Sequence, residues 1–365
     1  HTEKLPSILR LTASHSFLSA ISSCVLRLSN LLKSQPVKSK FPLMLTNLKR
    51  EGHKTKDNVV PEIGFVRKDF LIDSTKKSIL AASDFLNSDF IDKELFQSCS
   101  VFINQCIFQA SPSTFESMAK LGVFPWNEAE VELQQSLTLA YLGLFKSAVD
   151  SLRRALEIVI IAIYFSDNSI QKKEAKAWLK SEADTPFFSR SLDKIFSRHR
   201  FAMLEQELKW KTRTKQFYWK LSNISHTKGI ENSLLKIQPT NLVANGIPAP
   251  SFSAPAFNKF SSLFIACIQE IAVYLSCLNP IILVSLPLFE KFGFNPPLSG
   301  FFEEAETDSF RRVLPTEYLN FAERHFLSDP DIIAIKDEIC NMRDLSEDEI
   351  KLQCKEHEEF MRILK

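Results

Sequence analysis

The chain has 365 residues, 45% hydrophobic and 24% charged, the balance of a packed globular protein rather than a disordered or fibrous one. Glycine supplies only 8 residues, too few for the tight turns of an all-β sandwich or barrel, and no G-x-G-x-x-G or G-x-x-x-x-G-K-[ST] loop is present, which removes two phosphate-cradling designs. The formal charge of +2 hides an uneven layout: residues 4–50 hold eight Lys or Arg and no carboxylate, while residues 301–365 hold 17 acidic and 9 basic residues. A body of +10 thus carries a tail of −8, a layout suited to meeting a polyanion, with the tail as solvated padding or as a competitor for the basic surface.

In chain order, apolar residues recur every third or fourth position over 5–32, which predicts a helix stopped by Gln35-Pro36. Residues 34–62, polar and basic with Pro36, Pro42 and Pro61, read as a linker. The N-terminal stretch has a transit peptide's acid-poor composition but no signal-peptide apolar core. Helix resumes near Asp73-Ser74, a capping pair. Asn127, with Glu130 three residues on, predicts the start of a helix carrying Leu133, Leu137, Tyr141 and Leu144, divided near Gly143 or Phe145 from a second helix over 148–165. Arg153 and Glu157 are placed to pair in that second helix, and its all-apolar end, 158–165, predicts a central position. After a loop at 166–169 come Ala175-Trp178-Leu179, a short amphipathic segment at 192–196, and a helix over 210–225 ending before Gly229.

Residues 231–256, with four prolines, read as an irregular connector. The span 260–289 has one charge, Glu270, and is long enough to cross a bilayer. Its mid-span Gln269-Glu270 and the break at Asn279-Pro280 favour a buried helix closing at Cys277, and no membrane is expected. Short acidic helices follow at 318–326, 329–342 and 346–364, the last opened by the S-x-x-E box at Ser346. The expected fold is all-α, without a substantial sheet. Its expected regions are 1–62, a basic helix and linker; 63–230, a central helical domain; 231–300, a connector and buried helix packing on it; and 301–365, an acidic helical region.

Seven cysteines, at 24, 99, 106, 267, 277, 340 and 354, show no C-x-x-C and no zinc spacing. They read as buried reduced thiols, which points to the cytoplasm. No metal or cofactor is expected, and no G-x-S-x-G or H-E-x-x-H is present. His199 and His325, beside arginines, read as surface residues.

The segment that carries chemistry lies between Leu208 and Ile230. Lys209, Lys211, Arg213, Lys215, Lys220 and Lys228 interleave there with Trp210, Phe217, Tyr218 and Trp219, and no acidic residue intervenes. Cations of this kind meet phosphates and exposed rings stack unpaired bases, so single-stranded RNA is the expected partner. The other reading puts the aromatics in the core and the cations on the far side of an amphipathic helix. His226 closes the helix, where an imidazolium is favoured beside the terminal carbonyls and suits acid-base work. Asn223 lies one turn from both His226 and Lys220.

Two segments, Leu139-Ala140-Tyr141-Leu142-Gly143 through Ser151-Leu152-Arg153-Arg154-Ala155-Leu156-Glu157, and Tyr218-Trp219-Lys220-Leu221-Ser222-Asn223-Ile224-Ser225-His226, resemble the HEPN superfamily of all-α domains over about residues 126–230. Members carry an Arg, four to six residues, then a His near a helix end. Many are metal-independent endoribonucleases of toxin, antiphage or RNA-processing systems, with a composite site across a homodimer. The resemblance assigns catalysis to Lys220, Asn223 and His226, RNA cleavage through the 2′-hydroxyl, and no cofactor. Lys220 replaces the family's Arg and lacks the guanidinium fork, which Arg153 or Arg154 is expected to supply. Lys209, Lys211, Arg213, Lys215 and Lys228 complete the expected substrate contacts. The alternative is a non-catalytic all-α module that binds RNA or a partner protein.

Overall fold

The computed structural model describes residues 68–88, 90, 92–107, 123–166, 172–233, 236, 251–293 and 300–364. The helix expected at 5–32, the linker at 34–62 and Cys24 lie outside them, as does most of the connector. Apart from the first turn of the first described helix, the described residues belong to one compact unit, Ile72–Lys365.

Among the described residues the protein is all-α. In order the helices are α1 (Lys68–Asn87), α2 (Lys93–Gln105), α3 (Val123–Tyr141), α4 (Phe145–Phe165), α5 (Lys172–Leu179), α6 (Phe188–Ile195) and α7 (His199–Leu208). They continue with α8 (Trp210–Ser225), α9 (Ala254–Leu278), α10 (Leu288–Phe292), α11 (Glu304–Val313), α12 (Thr316–His325), α13 (Pro330–Asn341) and α14 (Glu347–Leu364). An isolated bridge joins Ser285 and Phe302.

Helices α4 and α9 form the centre. In α4 every residue from Val159 to Phe165 is buried, as its all-apolar run predicts. It packs on α3, α6, α8 and α9, because its C-terminal half, from Ile158 on, has no polar face and must be covered all round. Helix α9 opens on Ser253, whose Oγ accepts from the Ala256 amide, with Pro255 in the first turn, and ends before Pro280. By length and composition α9 could cross a membrane, yet 78% of its most apolar window is buried inside the protein. It is a core helix.

Three helices start earlier than the sequence predicts, and α7 and α11 lie where it predicts none. Helix α1 is already running at Lys68, so Asp73 and Ser74 lie inside it. Helix α3 begins at Val123 rather than at Asn127: Pro125 sits in the first turn, where a missing N–H costs nothing, and Trp126 behind it is buried. The short segment at 192–196 is the end of α6. The break at Gly143 occurs as expected. Gly143 has φ +75°, and a Cβ there would meet the Ser251 carbonyl oxygen at 2.2 Å. Leu144 N–H donates to the Leu139 carbonyl (2.8 Å) and Gly143 N–H to that of Ala140 (3.0 Å), closing α3 and starting α4.

The acidic region is not one unit. Phe310, Val313, Tyr318, Phe321 and Phe326 of α11, α12 and their ends join the main core, with the Ser276 hydroxyl donating to the Tyr318 hydroxyl (2.7 Å). Ile332 and Ile339 of α13 instead form a smaller core with Ile281, Leu286 and Leu288. The box at Ser346 is reciprocal: Ser346 N–H donates to Glu349 Oε2 (2.8 Å) and Glu349 N–H to Ser346 Oγ (3.4 Å). Cys99, Cys106, Cys267 and Cys277 are buried free thiols, and burial pushes Cys99 and Cys106 up to about 12. Cys340 is exposed and Cys354 half-buried, so burial does not extend to all.

Candidate functional site

Helix α8 turns its inner face, Trp210, Thr214, Leu221 and Ile224, to the core. At about 100° per residue its other side chains fall on two flanks and an outer face. Lys209, at φ 54°, is the left-handed joint that reverses the chain from α7 into α8.

On one flank, Lys211 and Lys215 both reach Asp193 of α6, at 2.9 and 3.3 Å. Hydrogen bonds from Lys211, then Lys215, hold the Asp193 carboxyl below the usual carboxylate range. Tyr218 stacks on Phe188 with centroids 4.0 Å apart and donates its hydroxyl to Glu157. On the other flank Arg213 pairs with Glu317 of α12 and lies 4.2 Å over the Trp210 ring. Lys220, on that same flank, is exposed. The outer face carries Trp219, which is 62% exposed, with Asn223 half-buried and His226 exposed. Of the four aromatic residues, Trp210 belongs to the core, Phe217 and Tyr218 pack against it, and Trp219 does not.

The expected cations divide in two. Lys209, Lys220 and Lys228 are exposed and make no ion pair among the described residues. Lys211, Arg213 and Lys215 are each offset by a carboxylate. Arg153 and Arg154 are more deeply committed. Arg153 pairs with Glu157 at 2.9 Å, the i, i+4 contact read from the sequence, and with Asp150 at 3.3 Å. Arg154 closes its fork on Glu132, with bonds of 2.7 and 2.9 Å, and also meets Asp150. The guanidinium fork expected to stand in for Lys220 therefore grips the protein itself.

Lys220 and His226 are six residues apart, about 9 Å along the axis and about 120° around it, with Asn223 midway. The helix end differs from expectation: Thr227, at φ 53°, takes the left-handed position two residues ahead of Gly229. Lys228 N–H then donates to the Asn223 carbonyl (2.8 Å) and Thr227 N–H to that of Ile224 (3.2 Å), the two bonds of a Schellman closure. Lys146, in the first turn of α4, donates to Thr227 Oγ1, which brings a further ammonium beside His226 and Lys228. His325 is not a bare surface residue, since its Nε2 meets Glu207 at 2.8 Å and its ring packs on Phe321; His199 is exposed.

The sequence did not single out the cleft that opens between α8 and α9. It has a volume of about 310 Å³. Phe217, Ala266 and Pro315 give it apolar walls; Arg213, Gln216, Lys220 and Gln269 are polar. At its boundary lies Glu270, 7% exposed, whose Oε2 accepts from Trp210 Nε1–H (2.9 Å) and from the Thr214 hydroxyl (2.7 Å). The Tyr274 hydroxyl donates in turn to Thr214 (2.9 Å). Burial pushes the Glu270 carboxyl up to about 7, against the smaller opposing effects of Thr214, Trp210 and Arg213. The one signal in the sequence was a carboxylate alone in an apolar span, which served there only to argue against a membrane. Among the described residues no group of three or more His, Cys, Asp or Glu is arranged to hold a metal ion. Comparison with protein-family models, curated proteins and solved structures finds no match to this chain.

Proposed function

We propose that this chain is a HEPN-like, all-α protein that binds single-stranded RNA along the outer face of α8. The observation that carries the reading is Trp219, exposed on a helix without a carboxylate, between Lys220 and the end group of His226 and Lys228. An exposed indole has no folding role to explain its position and offers a stacking platform for an unpaired base. The neighbouring ammonium groups offset backbone phosphates. Anisotropy of a labelled single-stranded RNA, titrated at rising salt, tests this. Wild type is expected to bind with salt-dependent affinity and Trp219→Ala to lose about fivefold or more, at the lower end of one stacked base. Binding that is absent at low salt, or untouched by Trp219→Ala, refutes the proposal.

A second reading, metal-independent cleavage, is favoured by the exposed His226 beside Lys228 and the Lys146–Thr227 contact. In that reaction the RNA 2′-oxygen attacks phosphorus and loses its proton to a base, while the 5′-oxygen leaves and gains a proton. The products are a 2′,3′-cyclic phosphate and a 5′-hydroxyl. His226 is the group in place for either transfer, and a second copy of the chain is the source of a further cation, since Arg153 and Arg154 are held by carboxylates. Cyclic-phosphate ends formed in EDTA by wild type and not by His226→Ala would establish it.

A further inference from the structure

We infer that the cleft between α8 and α9 is a nucleobase pocket that takes guanine, the Glu270 carboxylate accepting from the base's N–H edge and Lys220 meeting the attached phosphate. The inference rests on the RNA reading above for one of the two sources of that guanine, a strand of RNA; a free guanine nucleotide is the other.

Glu270 is the starting point. Both protein donors converge on Oε2, and no donor among the described residues reaches Oε1. Glu270 borders the cleft, and its Oε1 is not sealed in the core without a partner, so that oxygen is open to water or to a donor in the cleft. A donor on a ligand in the cleft can replace water at that oxygen. Trp210, Thr214 and Tyr274 meanwhile fix the carboxylate from behind, so its free oxygen is already oriented.

The remaining walls narrow the class. Phe217, Ala266 and Pro315 present apolar surface for a flat ring, and the Gln216 and Gln269 carboxamides each offer a donor and an acceptor to its rim. Lys220 supplies a positive charge not already offset, unlike Arg213, which is paired with Glu317. The volume, at the low end of small-molecule sites, suits one nucleotide rather than several. Of the four bases, guanine alone turns adjacent ring N–H and amino donors outward on its pairing edge. Adenine and cytosine can offer that one free oxygen only their amino group, with a ring-nitrogen lone pair beside it, and uracil flanks its N–H with two carbonyls, so each is a poorer match than guanine's two adjacent donors. Carboxylate, carboxamides and flat walls converge on guanine.

The test uses the full chain at about pH 8, where the carboxylate is ionised, with two RNAs of about ten nucleotides, all-uridine and the same strand with one central guanosine, and with free GMP and UMP. The guanosine strand is expected to bind about fivefold or more tighter, the low end of discrimination by a base contact. That ratio is expected to fall toward one in Glu270→Gln, which replaces the free acceptor with an amide donor, and to shrink in Gln269→Ala, both checked for a native melt. If wild type binds both RNAs without preference, the pocket assignment fails and the RNA reading stands. If GMP binds in preference to UMP but neither RNA binds, the pocket stands and the RNA reading fails. A guanosine preference unchanged in both variants places base reading elsewhere and overturns the assignment, and no binding of any of the four probes overturns both.

Discussion

Replacing Glu270 by Gln isolates the energetics of the buried carboxyl. The amide has the same shape, and its oxygen can accept from Trp210 and Thr214 as Oε2 does, so the change removes a charge and little else. Burial raises the Glu270 carboxyl from 4.5 to about 7. Between those values the folded protein holds a proton that the unfolded chain has released. The stability contributed is therefore complete below about 4.5 and lost as pH rises through about 7. A shift of that size corresponds to about 3 kcal/mol at most. Arg213 and Lys220 of α8 and Cys267 and Tyr274 of α9 also face this region, but they are common to both proteins and cancel in the comparison. Urea unfolding followed by far-ultraviolet circular dichroism, from about pH 4.5 to about pH 8, gives the difference directly. Glu270→Gln is expected to match wild type at the acid end and to exceed it by up to about 3 kcal/mol at the alkaline end. A difference that does not change with pH, or a variant less stable than wild type near pH 8, would falsify this account of the carboxyl.

Two further changes test the geometry. Gly143→Ala forces an L side chain into φ +75° and against the Ser251 carbonyl, so a loss of about 2 kcal/mol or more and a melting temperature lower by several degrees are expected; an unchanged melt would show that the α3–α4 turn can rearrange. Asp193→Asn releases Lys211 and Lys215 while costing less than about 1 kcal/mol, because the pair is exposed. If α8 contacts RNA, the slope of log affinity against log salt should steepen by about 1.4, about 0.7 for each cation freed. A slope that stays put would mean that this flank does not meet the nucleic acid.

The central helices were legible because their apolar spacing is strong, whereas α7 and α11 were not read from the sequence. The bounds of α8 follow from Trp210, Thr214, Phe217, Leu221 and Ile224 at intervals of three and four, and the position of α4 from a run with no polar face. Starts were less legible, since capping residues compete. Asn127 had the better capping chemistry, but Pro125 and the buried Trp126 set the true first turn of α3. The closure of α8 was misread for a related reason: Gly229 is the natural left-handed residue, yet the chain takes that conformation at Thr227, whose side chain is also in contact with Lys146.

The basic, aromatic make-up of α8 was legible in the sequence, and its net charge in the fold was not. Counted along the sequence, α8 and its ends hold six cations and no carboxylate. In three dimensions Asp193 arrives from α6 and Glu317 from α12 to offset half of them, and Glu317 comes from the acidic region that the sequence marked as padding or competitor. Local counting sees neither, because both contacts join segments far apart in the chain. The same limit hid the cleft. Glu270 lies 60 residues from Trp210, and only the packing of α9 against α8 turns a lone carboxylate in an apolar run into a hydrogen-bonded wall. What a basic stretch presents to a polyanion is thus the remainder after the fold has used its share: Lys209, Lys220 and Lys228, with Trp219 among them. Any affinity this face has for RNA must be modest in electrostatics and must draw its selectivity from the indole and the cleft.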